Sequence, residues 1–238
     1  MTQGPFGVKD LLQPDAMASE ALEQKATIDY RSEIIRKSIH LCSLAIPIIY
    51  YFISQRFGLI LLVPVTAAFL LTDVARHYSK RVGKWYQRWF GWLLRQHEQD
   101  ASVRRLNGAT NILLSAVLCV LLFPKIITIN AFAILIIGDT TSALIGRRFG
   151  KRRLFSKSLE GTLAFFLSAL VVVLVAPKLA ASAGEYAIWI AGAAVGAVVE
   201  ASTVKNIDDN ITVPLAIGLA VWGLYLLFLP GLDLNLMM

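Results

Sequence analysis

Apolar runs close to the thickness of a bilayer, separated by short basic segments, constrain this chain more than any other feature. They fall at 38–54, 57–75, 107–123, 126–145, 159–176, 186–199 and 211–229. A helix needs about 20 residues to cross the hydrocarbon core, and inside it every backbone polar group must be satisfied within the segment. The runs predict an all-α polytopic bundle of about seven transmembrane helices, with 107–123 and 186–199 short of the full length. Composition agrees: 56% of residues are hydrophobic, 16% are charged, and mean hydropathy is +0.62, far from the balance of a soluble domain.

Charge supplies an orientation. Of the 23 Lys and Arg, all but Arg56, Lys125 and Lys178 fall on the side that holds the N-terminus in a seven-span chain. The positive-inside rule places that side in the cytoplasm and the C-terminus outside. The net charge of +7 then reads as topology and attraction to anionic lipid, with no nucleic-acid partner expected. Residues 1–30 mix acids with bases and lack the apolar core of a secretory signal, so they read as a cytoplasmic arm. Cys42 and Cys119 have no metal-ligand spacing and are expected as small core residues. Residues 31–238 then form a single membrane-embedded domain. At about 78–99 an amphipathic segment puts Trp85, Trp89, Trp92 and Leu93 on one face, which suits an interfacial anchor or a platform beside a lipid entrance.

Ionisable side chains inside such runs are costly and mark candidate sites. In "RSEIIRKSIHL", Arg36, His40 and Ser43 share a helical face, while Lys37 reads as a side chain reaching for headgroups. "FLLTDVARHYSK" offers an Asp73–Arg76 pair at i, i+3. "LNGATNILLS" aligns Asn107, Asn111 and Ser115, either as amides for a ligand or as helix-to-helix glue.

The most demanding stretch is "GDTTSALIGRRFGKRRLFSKSLEGT". It sets Asp139 inside an apolar run, on a face with Ser142, Ala143, Gly146 and Gly150, ahead of Arg147, Lys157, Glu160 and Gly161. A carboxylate beside many cations suits a divalent metal with a polyphosphate; a helix-packing stripe followed by a basic loop explains the cations but not Asp139. "GRRFGKR" is not a Walker A loop, because three residues separate its glycines and Arg152 stands where Ser or Thr would be needed. Further on, "GAAVGAVVEASTVKNIDDNITVP" carries Gly192, Gly196 and Glu200 at helical spacing, then Lys205, Asp208, Asp209 and Asn210. Grouped acids can share Mg²⁺, with one left to accept a proton from an attacking hydroxyl.

Taken together, "RKSIHL", "GDTTSALIGRRFG", "KSLEGT" and the Glu before "DDNITVP" resemble the CTP-dependent lipid-alcohol kinases: dolichol and polyprenol kinases, phytol kinases and the CTP-dependent diacylglycerol kinase. The resemblance covers roughly residues 31–215. It implies Mg²⁺-dependent transfer of the γ-phosphate of CTP to a membrane lipid alcohol at the cytoplasmic face. Gly138, Thr140, Ser142, Gly146, Arg147, Lys157, Ser158 and Gly161 would bind nucleotide, with Asn111 and Asn210. Asp139, Glu200 and Asp209 would hold metal; Asp139, Glu160 and Asp209 are the catalytic candidates, Glu160 as metal ligand or base. Arg36, Lys37 and His40 would orient substrate or phosphate. "SLEGT" leans towards dolichol-like acceptors, with phytol-like alcohols and diacylglycerol as the others. A cytidylyltransferase making a CDP-lipid and an ion-coupled transporter are the alternative readings.

Overall fold

The computed structural model describes residues 33–90, 106–202 and 208–234. The arm at 1–30, Lys205, and the amphipathic segment beyond residue 90 with Trp92 and Leu93 lie outside them. The described chain is a helical bundle with one small β-ribbon. Helix α1 covers 33–42; α2 is Ala45–Phe52, α3 Gln55–Tyr78, α4 Lys80–Phe90, α5 Gly108–Leu122 and α6 Lys125–Phe149. The ribbon, β1 Arg153–Leu154 and β2 Lys157–Ser158, precedes α7 Leu159–Val175, α8 Ala183–Ser202 and α9 Asp209–Phe228.

Among the described residues four helices, α3, α6, α8 and α9, are long and apolar enough to cross a membrane. The other expected spans take different forms. The first run is broken at Ser43–Leu44 into α1 and α2, while α5 and α7 are apolar but only 15 and 17 residues long. Outward faces carry Ile48, Phe52, Leu71, Leu167, Val171, Leu174 and Leu226, a surface suited to lipid rather than water. Cys119 is buried as expected, but Cys42 is exposed, because its position on α1 turns it away from the bundle.

α6 is the central helix. Its apolar window is 78% buried, against 17% for α3, so α6 meets protein on nearly every side and α3 is peripheral. Phe132, Leu135 and Ile136 of α6 pack with Phe165 of α7, Trp189 of α8 and Ile217 of α9 in one core. Small residues set the spacing. A Cβ on Gly138 would lie 2.7 Å from the Phe165 ring, one on Gly146 would lie 2.9 Å from Ser158 Oγ, and one on Gly161 would lie 3.0 Å from the Ser142 carbonyl. The glycine face of α6 is therefore spent on close contact with the start of α7. Gly192 and Gly196 do the same for α8 against Val221 and Ile217 of α9.

Three helix starts meet at one end. Asn107 caps α5 by accepting from the Thr110 N–H at 2.8 Å, Ser158 caps α7 through Gly161 N–H at 3.1 Å, and Asp208 caps α9 through Asn210 N–H at 3.0 Å. Side-chain oxygens of this kind satisfy amides that the helix itself cannot. The positive ends of three helix dipoles consequently face the same region.

Candidate functional site

The charges of the two glycine-rich helices and α1 converge at that end. Lys37 of α1, instead of reaching outward, is buried and its ammonium donates to Asp139 Oδ2. His40, one turn on, brings Nε2 to 3.3 Å from the same oxygen. Glu33, also buried, accepts from Arg36 on its own helix and from Arg147 Nη2 at 2.9 Å across to α6. The two arginines are thereby drawn to one carboxylate, a geometry that suits recognition of a planar or tetrahedral anion.

A second group forms around Lys157. The β1–β2 turn, with Phe155 in the left-handed region at φ 52, docks on the end of α8 through Ser156, whose N–H and Oγ donate to the Ala201 carbonyl at 3.1 and 2.7 Å. This aims Lys157 inward, with Nζ 2.6 Å from Glu200 Oε1 and 3.2 Å from Asp209 Oδ2. Ser142 Oγ of α6 donates to Glu200 Oε1 at 2.9 Å. Burial by itself would lower the pKa of the Lys157 ammonium, but the carboxylates of Asp209, Glu200 and Asp139 outweigh it and hold the value above the ordinary lysine range. Lys157 is thus a permanent cation linking both groups.

The structure therefore brings together Arg36, Lys37, His40, Asp139, Ser142, Arg147, Lys157, Glu200, Asp209 and Asn210. It sets others apart. Glu160 turns to the backbone N–H of Arg152, 3.3 Å from each carboxylate oxygen. Thr140 donates to the Ile136 carbonyl of its own helix at 2.7 Å. Gly138, Gly146, Ser158 and Gly161 lie in the α6–α7 seam, and Asn111 is buried on α5. Two residues that the sequence did not single out belong to the site: Glu33, and Tyr86 of α4, whose hydroxyl accepts from the Asn107 amide. Behind Tyr86, Arg76 stacks on its ring at 5.0 Å and pairs with Asp73, whose other oxygen accepts from Asn107 N–H at 2.7 Å.

Among the described residues no three His, Cys, Asp or Glu side chains converge as a closed metal cage. Two buried acceptors, Glu200 Oε2 and Asn210 Oδ1, nevertheless lack any hydrogen-bond partner. A Mg²⁺ ion that is shared with phosphates needs only one or two protein carboxylates, and the unpartnered Glu200 oxygen fits that demand.

The fold and site define a helical bundle with membrane-length apolar helices and a buried ionic cluster at one end. The chain is 32% identical over 191 residues to an uncharacterized protein of Rickettsia prowazekii, covering 80% of this chain and 93% of that one, and it belongs to the same family. It is also 28% identical over 156 residues to the CTP-dependent diacylglycerol kinase 1 of Schizosaccharomyces pombe, 60% of this chain and 70% of that one. No family model matches the sequence. No solved structure matches it either.

Proposed function

We propose that the protein is an integral membrane kinase that moves the γ-phosphate of CTP to the hydroxyl of a lipid alcohol, with an isoprenoid alcohol of the polyprenol or phytol type as acceptor. Residues 31–238 act as one domain of about seven membrane passes, with the site on the cytoplasmic face. The observation that carries this reading is the Lys157–Glu200–Asp209 group set beside Lys37–Asp139, with Arg36 and Arg147 gathered on Glu33. Such an array supplies cations for a polyphosphate and a carboxylate for a proton, as phosphoryl transfer requires. The similarity to a diacylglycerol kinase supports the same class.

In the reaction, the alcohol oxygen forms a bond to the γ-phosphorus while the bond from that phosphorus to the β–γ bridging oxygen breaks. The hydroxyl proton passes to Asp209, and the nucleoside diphosphate leaves. Arg36, Arg147 and Lys157 hold the phosphates in line, so most of the rate comes from positioning and charge stabilisation. Glu200, whose Oε2 has no hydrogen-bond partner, would hold a Mg²⁺ ion, which supplies neutralisation of phosphate charge when bound and leaves the proton to Asp209. Lys37 and His40 keep the Asp139 carboxylate fixed at the head of the site.

The test uses purified protein with Mg²⁺ and γ-labelled CTP or ATP, offered dolichol, undecaprenol, phytol, geranylgeraniol and diacylglycerol. Label is expected in a lipid phosphate from CTP, absent with EDTA and absent in Asp139→Asn. Release of pyrophosphate with formation of a CDP-lipid would replace the kinase by a cytidylyltransferase. No transfer to any lipid by folded protein would overturn the reading.

A further inference from the structure

A cavity of about 590 Å³ opens beside the ionic cluster, between α1, α3, α4 and α5. That volume lies within the ~300–1,000 Å³ range of sites that enclose one small-molecule-sized group. Its walls are apolar, built from Ile39, Ile46, Phe69, Ile112 and Leu113, with the half-exposed Trp85 at the α4 edge. The polar lining includes His40, Asp139 and Asn210. One compartment thus joins a hydrocarbon-lined wall to the residues proposed above to carry phosphoryl transfer.

Asn210 specifies what belongs at the polar end. Its backbone N–H and side-chain Nδ2 both donate to Asp208 Oδ1, at 3.0 and 2.6 Å. That commitment fixes the amide's orientation and leaves Oδ1 as a buried acceptor without a partner. A buried acceptor is normally satisfied, and with Mg²⁺ assigned to Glu200 the partner that Asn210 Oδ1 lacks is a hydrogen-bond donor. A phosphate brings only acceptors here, whereas an alcohol brings an O–H on a hydrocarbon chain, matching both the orphaned carbonyl and the apolar walls.

We propose that this cavity is the acceptor site of the kinase, and that Asn210 Oδ1 is a positioning residue that takes a hydrogen bond from the lipid hydroxyl. The proposal rests on the phosphotransfer reading for its chemistry, but the cavity can be tested without it. The hydroxyl so held lies next to Asp209 in the chain and beside the Lys37–Asp139 pair, while its hydrocarbon follows Ile39, Phe69 and Ile112 outward to Trp85. Ser43 and Thr72 line the same cavity and add only weak polarity to its wall.

A twenty-carbon isoprenoid alcohol carrying a diazirine, photolysed with the protein in lipid nanodiscs, provides the test. Adducts mapped by peptide mass spectrometry are expected within residues 36–46, 68–72 and 107–113. Excess unlabelled alcohol should compete at least tenfold better than its methyl ether, which has no hydrogen to donate, and Asn210→Leu should abolish that discrimination. Ala68→Phe and Ala109→Phe, which fill the cavity from its wall, should each cut labelling at least fivefold on the monodisperse fraction. In kinetics they should raise the acceptor KM and leave the nucleotide KM unchanged. Adducts confined to α7–α9, or undiminished labelling in both filled variants, would overturn the proposal even if lipid phosphate is formed. Hydroxyl-selective labelling of the cavity without phosphoryl transfer from any nucleotide would support the cavity and remove the kinase reading instead.

Discussion

Lys37 and Asp139 lie 102 positions apart in the chain and form a buried ion pair that ties α1 to the central helix. Removing one member of such a pair strands the other charge, at a cost of about 3–5 kcal/mol. Lys37→Met and Asp139→Asn should each lower the apparent Tm in detergent at a fixed scan rate. The double variant Lys37→Met/Asp139→Leu should recover most of the loss while staying inactive, since an apolar replacement of both partners is often neutral. If the double variant is as unstable as the two losses added together, mutual charge compensation is not what holds the contact.

The glycines of the opening motif make a separable prediction. Gly138→Ala would press a methyl group into the Phe165 ring, and Gly161→Ala would press one against the Ser142 carbonyl. Overpacking of this kind costs about 1–3 kcal/mol, so both variants should lose thermal stability with nucleotide affinity little changed in the folded fraction. Unaltered Tm with lost CTP binding would show instead that these glycines make room for the nucleotide.

Glu33 gathers Arg36 and Arg147 without being able to touch phosphate favourably itself. Glu33→Gln keeps the size of the side chain and removes its charge. We expect the CTP KM to rise about tenfold, equivalent to ~1.4 kcal/mol, with a smaller change in kcat. A steady-state CTP titration at saturating acceptor reads this directly, and an unchanged KM would mean that the arginines do not need the clamp.

The Lys157 network sets a pH dependence. Because its carboxylate neighbours raise the folded pKa, its contribution to stability is complete below the unfolded lysine value of about 10.4. It is lost only as pH climbs through the raised folded value. Between pH 6 and 9, Lys157→Met should therefore lower Tm by a constant amount relative to the native chain. A gap that closes steadily across that window would show that Lys157 is not held charged by Glu200 and Asp209.

Much of this site was legible because charges inside apolar runs have few innocent explanations. Asp139 and His40 stood out in that way, Glu200 and Asp209 by abutting such runs, and the structure brings all four to one end. Lys37 was misread as reaching for headgroups, since its partner lies in another helix and local spacing cannot reveal it. Glu33 precedes the first apolar run and looks like any surface acid there. Tyr86 was hidden in the sequence among the tryptophans of the amphipathic segment, which drew the reading to an interfacial face. Glu160 follows Lys157 closely, but the first turn of α7 rotates it to the Arg152 backbone. The glycines were ambiguous in principle, because a small face admits a ligand and a neighbouring helix equally well.

The seam between α6 and α7 also has a mechanical consequence. With glycine backbone set against serine and glycine across the contact, those two helices have no slack to slide or tilt and behave as a keel. Of the other contributors to the site, α1 is mounted on it by ion pairs, while the ribbon is tied through Lys157 to α8 and α9; such pairs can exchange partners over small displacements. Any clasping of a nucleotide is then a matter of these outer parts folding onto the keel, with Asp139 and Ser142 as the fixed reference against which they register.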